Sequence, residues 1–113
     1  MFGNAISEEL TNFIHANIDS VEMLEILGFL CQNDGRAWSP SEIADRLYLQ
    51  VASAQVRLAG LQLKGLCRHI DSHGLNFQYD AADLEQDRLV RELIHAYRVR
   101  RASIISLIFQ PAT

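Results

Sequence analysis

Apolar residues recur along most of this chain at the three- and four-residue spacing of an α-helix. This spacing predicts five helices, over residues 7–18, 21–32, 41–47, 52–64 and 84–108. Residues 75–79 instead alternate between apolar and polar side chains, which is typical of a strand. Turn-forming residues separate this segment from a second short one at 67–70, so we expect the two to pair as a hairpin. The predicted fold class is mainly α with a small β-hairpin (α+β).

Local signals mark the ends of the third and fourth helices. Ser39 can cap the third helix, with Pro40 at its first position and Glu42 placed to complete a capping box. The connector 48–50 is too short for anything but a tight turn. Gly65 lies where the fourth helix needs a residue with positive φ. Two helices, a tight turn and a hairpin predict a winged helix-turn-helix, and Trp38 could add a third strand to the wing.

A family resemblance covers the same segment. It rests on two runs, Ile43-Ala44-x-x-Leu47-x-Leu49 and, after a helix, Leu61-x-x-x-Gly65-Leu66. Together they resemble the recognition module of MarR- and ArsR-type bacterial regulators, without a gap from residue 43 to 68. The resemblance implies a cytoplasmic, bacterial transcription regulator that binds double-stranded DNA as a homodimer. Winged helices also serve as protein-interaction modules, so that alternative stays open.

The chain is long enough for one domain of 113 residues. We assign 20–79 to the winged-helix core and the flanking segments, 1–19 and 80–113, to helices that dimerise. The C-terminal end is apolar all round, which predicts burial from more than one side. The expected dimer interface is a set of apolar residues on these helices: Phe13, Ile14, Leu93, Ile94, Tyr97, Ile104, Ile105 and Ile108.

Charge is unevenly distributed, although the net charge is only −4. Residues 1–35 contain six acidic residues and no Lys or Arg, whereas 36–79 contain five basic and three acidic residues. The positive segment therefore coincides with the predicted helix-turn-helix and wing, where a DNA-binding protein needs it.

Candidate DNA-binding residues follow from the position of the fourth helix. In DNA-binding relatives its outward side enters the major groove, which makes Ser53, Gln55 and Arg57 the expected base readers. We expect phosphate contacts at the helix ends and contacts from the wing; these residues are Gln50, Lys64, Arg68 and His73.

The same helix also carries a second apolar stripe, nearly opposite its core side. Its members recur at helical spacing: Ala52, Val56, Ala59 and Leu63. Relatives usually have basic residues at several of these positions. The stripe favours a protein partner that contacts Val56 and Leu63, a dimer contact, or cover by a neighbouring helix of the same chain, for which the N-terminal helix is the candidate.

Other function classes find no support in the sequence. It has no catalytic motif, no metal-ligand spacing of its Cys and His residues, and no phosphate-binding loop, so we expect no enzyme, cofactor or metal site. No secretory segment or membrane span is recognisable. Contact of the basic and apolar C-terminal tail with a membrane surface is a weaker alternative, because the stretch is short. The two isolated cysteines suit a reducing cytoplasm.

Overall fold

A computed structural model describes residues 6–70 and 76–110. Within these residues it contains six helices and one antiparallel two-stranded sheet: α1 (Glu8–Asn17), α2 (Val21–Gln32), α3 (Pro40–Leu47), α4 (Val51–Leu63), β1 (Cys67–His69), β2 (Phe77–Tyr79), α5 (Leu84–Val99) and α6 (Arg101–Phe109). The predicted fold class, mainly α with a small β-hairpin, is confirmed. The predicted hairpin turn, with His73, lies outside the described residues.

Helix α2 lies at the centre of the core. It is apolar on most sides and packs against α3, α4 and β2. Ile26, Leu27 and Leu30 are fully buried. From α4, Leu58 and Leu61 reach the same core and are also fully buried. Since α4 fills the space beside α2 with one side only, its opposite side faces away from the core.

The start of α3 and the end of α4 have the predicted local chemistry. The capping box at α3 is present, since the Glu42 amide donates to Ser39 Oγ and the Ser39 amide donates to Glu42 Oε1. At the end of α4, Gly65 has φ 74°. The Gly65 amide donates to the Gln62 carbonyl and the next amide donates to the Leu61 carbonyl, which is a Schellman motif.

Strands β1 and β2 pair antiparallel, with Cys67 opposite Tyr79. Trp38 joins the edge of β2 by two backbone hydrogen bonds with Phe77, of 2.8 and 2.7 Å. The expected third strand is therefore a single bridge pair. This bridge attaches the α2–α3 connection to the two-stranded sheet and so fixes the sheet relative to α3 and α4.

The prediction of one long C-terminal helix is wrong, because α5 ends at Val99 and α6 begins at Arg101. The break contains neither Gly nor Pro. It lets α6 fold back against α1 and α5, where Ile104 is fully buried. His15 of α1 hydrogen-bonds the Leu107 carbonyl of α6 at 3.1 Å. Packing of α6 on α1 thus buries apolar side chains that a straight continuation of α5 would leave exposed to water. No helix in the described part of the chain is both long and apolar enough to span a membrane.

Candidate interaction surface on helix α4

The outward side of α4 is apolar and open to solvent. Val56 is 63% exposed and Leu63 is 87% exposed. Ala52 and Ala59 lie in line with them and are also exposed. We call these four residues the α4 seam. Exposed apolar side chains are ordinary when scattered, but here four of them line one face of one helix.

The N-terminal helix does not cover the α4 seam. Helix α1 packs against α5 and α6 instead, and it buries Leu10, Phe13 and Ile14 there. Across the described ranges, residues 6–70 and 76–110, nothing shields Val56 or Leu63. Three alternatives were open from the sequence, and the described residues do not provide one of them, cover by another helix of the same chain.

The predicted DNA-binding residues of α4 lie on or beside the same face. Gln50, Gln55 and Lys64 are exposed, and Ser53 is half-buried. Gln50 precedes the helix without capping it through its side chain. Lys64 makes no ion pair with any described residue. These side chains are polar and accessible, but Lys64 alone of the four carries a charge.

The two predicted DNA-binding arginines face carboxylates. Arg57 Nε lies 3.2 Å from Glu22 Oε1, and its Nη1 lies 3.8 Å from Asp19 Oδ1. Arg68 Nε lies 3.4 Å from Asp80 Oδ2. Such pairs contribute only about 0–1 kcal/mol when they are exposed to solvent. The carboxylates nonetheless neutralise the positive charge of the two arginines, which binding to a phosphate backbone would require.

A basic pair that the sequence reading did not single out surrounds Trp38. The guanidinium carbon of Arg36 lies 3.7 Å from the ring centroid, and that of Arg46 lies 5.1 Å away. Trp38 is only 2% exposed, and its Nε1 has no hydrogen-bond partner within the described part of the chain. Arg36 also pairs with Glu42 at 3.5 Å. The sequence contains a signal for the contact of Arg36 with the Trp38 ring, because the two residues are only two positions apart.

Tyr48 is a second residue that the sequence reading missed. It caps α3 in the left-handed conformation, with φ 59° and ψ 47°, and its side chain is 95% exposed. Glycine is usual at such positions, because a Cβ is strained there. The exposed ring of Tyr48 therefore contributes almost nothing to the core. Tyr48 begins the three-residue turn before α4 and borders Val51, which is 41% exposed.

The residues predicted for the dimer interface fall into two groups. Phe13, Ile14, Leu93 and Ile104 are buried within the monomer. The other four are partly exposed: Ile94, Tyr97, Ile105 and Ile108. Ile94 and Tyr97 line a shallow groove of about 300 Å³ beside Gly28. A second copy could reach only the partly exposed group without rearranging the core.

Three groups with perturbed pKa values, the thiols of Cys31 and Cys67 and the phenol of Tyr79, belong to the core. Burial raises the pKa of the Cys67 thiol to about 12 and also raises that of Cys31. Burial, together with a 2.6 Å hydrogen bond to Asp87, raises the pKa of Tyr79 above its usual range. Raised values keep these groups protonated and unreactive near neutral pH. Among the described residues no cluster of His, Cys, Asp or Glu could hold a metal ion.

A comparison with protein-family models finds no match to this chain, and a comparison with curated protein sequences also finds none.

Proposed function

We propose that this protein is a winged-helix interaction module that binds a helix of another polypeptide through the α4 seam. The observation that carries the proposal is the exposure of Val56 and Leu63, at 63% and 87%, on the side of α4 opposite the core. Burying one such side chain at an interface is worth about 1.5–3 kcal/mol. A partner helix with an apolar face gains this energy along the whole length of α4.

The charges around α4 support the same proposal. The centre of the outward face holds no charged side chain, and the polar residues beside it, Gln55 and Gln62, are neutral. Affinity for DNA comes largely from cations that neutralise phosphates. Arg57 and Arg68 face carboxylates, so the surface offers few cations for that purpose.

Specific DNA binding is the second candidate function. The resemblance to MarR- and ArsR-type regulators favours it, as does the exposure of Gln50 and Gln55 at the N-terminal end of α4. Glutamine can pair with adenine through two hydrogen bonds. The ion pairs of Arg57 are weak enough to be exchanged for phosphate contacts.

A binding experiment with a synthetic probe helix tests the first candidate. The probe is an amphipathic peptide with Leu and Ala at its heptad core positions and Glu and Lys elsewhere, followed by fluorescence anisotropy. We expect measurable binding that Val56→Asp abolishes, because the substitution places a charge in a desolvated contact. Gln62→Asp is the matched control, since it adds the same charge to α4 beside the seam.

A mobility-shift experiment with genomic fragments, at 50 and 200 mM salt, tests the second candidate. If the protein is an interaction module, we expect it to bind every fragment weakly and expect this binding to disappear at the higher salt. Specific binding that persists at 200 mM salt and survives Val56→Asp would refute the proposal in favour of DNA recognition. In that case Arg57→Ala is expected to relax specificity at one base pair, at a cost of about 1–3 kcal/mol.

A further inference from the structure

The α4 seam has the spacing of a coiled-coil core. Its residues are separated by four, three and four positions, which is the heptad alternation of d and a positions. The d positions hold the small residues Ala52 and Ala59, and the a positions hold the larger Val56 and Leu63. All four are exposed. The seam therefore presents alternating small and large knobs over about three turns of helix.

The alternation of sizes selects one orientation for an identical partner. In an antiparallel pair related by a two-fold axis, an a residue faces a d residue of the other helix. Ala52 then faces Leu63 of the second copy, and Val56 faces its Ala59. Every contact joins a small side chain to a larger one, which lets two helices approach closely without gaps. A parallel pair would instead oppose Leu63 to Leu63 and leave space between the alanines.

We propose that the α4 seam binds the α4 seam of a second copy of this chain, antiparallel and across a two-fold axis. The proposal rests on the proposed interaction function and names its partner. Neighbouring residues agree with it. The seam residues carry no charge, so no like charges oppose each other at its centre. Tyr48 borders Val51 at the N-terminal end of α4. An antiparallel pairing brings the C-terminal end of the second α4, with its Lys64, to this end. There the ring can receive the ammonium group, which has no ion pair with any described residue.

This pairing is expected to be weak. One helix of 13 residues per copy is smaller than the roughly 20–30 residues per side of a standard interface. We expect a dissociation constant on the order of 100 µM, well above that of an obligate dimer. The complex also covers the face that would enter a DNA groove, so self-association and DNA contact by α4 exclude each other.

Disulfide trapping tests the orientation. Val56→Cys and Ala59→Cys proteins are oxidised separately and as a mixture with oxidised glutathione, and dimers are quantified on a non-reducing gel. The native thiols, Cys31 and Cys67, are 4% and 3% exposed and give little background. The antiparallel pair predicts several-fold more crosslinked dimer in the mixture than in either protein alone. Gln62→Cys, beside the seam, is the control for random collision.

Sedimentation equilibrium from 20 µM to 1 mM tests the association itself. The wild type is expected to dimerise over this range, whereas Val56→Asp stays monomeric and Gln62→Asp behaves as wild type. Melting curves verify that each variant is folded, and Val56 is exposed enough for its substitution to be tolerated. A monomer at 1 mM, or crosslinking that is strongest for Val56→Cys alone, would overturn the self-pairing. Failure of the wild type to bind the synthetic probe helix would instead overturn the proposed function, so the two failures are distinguishable.

Discussion

Substitutions at Tyr48 offer the sharpest test of the structure. Relief of its backbone strain and removal of its side chain are expected to change the free energy of unfolding differently. The backbone has φ 59°, where the Cβ of an L-residue crowds the following carbonyl at a cost of roughly 1–2 kcal/mol. The side chain is 95% exposed and contributes almost no burial. Tyr48→Gly removes the Cβ, but glycine also gains about 0.5–1 kcal/mol of conformational entropy in the unfolded chain. The net expectation is a protein more stable by about 0.5–1 kcal/mol.

Two further variants separate the strain from the side chain. Tyr48→Asn is expected to stabilise by a similar amount, because Asn tolerates the left-handed conformation without the entropy cost of glycine. Tyr48→Ala keeps the Cβ and removes only the exposed ring, so its free energy of unfolding is expected to stay within about 0.5 kcal/mol of the wild type.

Urea unfolding followed by far-ultraviolet circular dichroism measures all three variants. The reasoning is supported if the free energies of unfolding of the Gly and Asn variants exceed that of the Ala variant, and the Ala variant equals the wild type. Destabilisation of more than 1 kcal/mol by Tyr48→Ala would show that the ring packs against the protein, and destabilisation by Tyr48→Gly would refute the backbone argument. If the α4 seam pairs as proposed, the stabilised Gly variant also associates more weakly than the wild type.

Two glycines and one cysteine give further predictions. Gly28→Ala is expected to stabilise by about 1 kcal/mol in thermal unfolding, because Gly28 is inside α2 and an added Cβ lies an ordinary 3.9 Å from Ile94 Cγ1. Gly65→Ala is expected to cost about 1 kcal/mol, because φ is 74° there, and Gly65→Asn should restore part of the loss. The unfolded chain loses the Cys67 proton near pH 9, whereas the folded protein holds it up to about pH 12, so stability falls as pH rises through this window. Urea unfolding at pH 8 and 10.5 should show a loss roughly 2 kcal/mol larger in wild type than in Cys67→Ala, and equal losses would contradict the burial argument.

Much of the structure from α2 to β2 follows from residues that are close in sequence. The capping box of Ser39 and Glu42 and the positive φ of Gly65 depend on hydrogen bonds within a few residues. For this reason the sequence predicts α2, α3 and α4 to within one residue at each end, and it predicts the pairing of β1 with β2. The seam on α4 is also visible in the sequence, since helical spacing alone lines up Val56 and Leu63.

Long-range contacts decide the rest. Glu22 is 35 residues from Arg57 in the sequence. No periodicity indicates that its carboxylate pairs with Arg57, a residue predicted to contact a DNA base. His15 and Leu107 are 92 residues apart, and their contact belongs to the packing that breaks the C-terminal helix and keeps α1 away from α4. By itself the sequence determined which side chains share a face, because that depends on the helical repeat. Only the tertiary structure decided which faces remain open to a partner, because burial depends on what the distant parts of the chain bring against them.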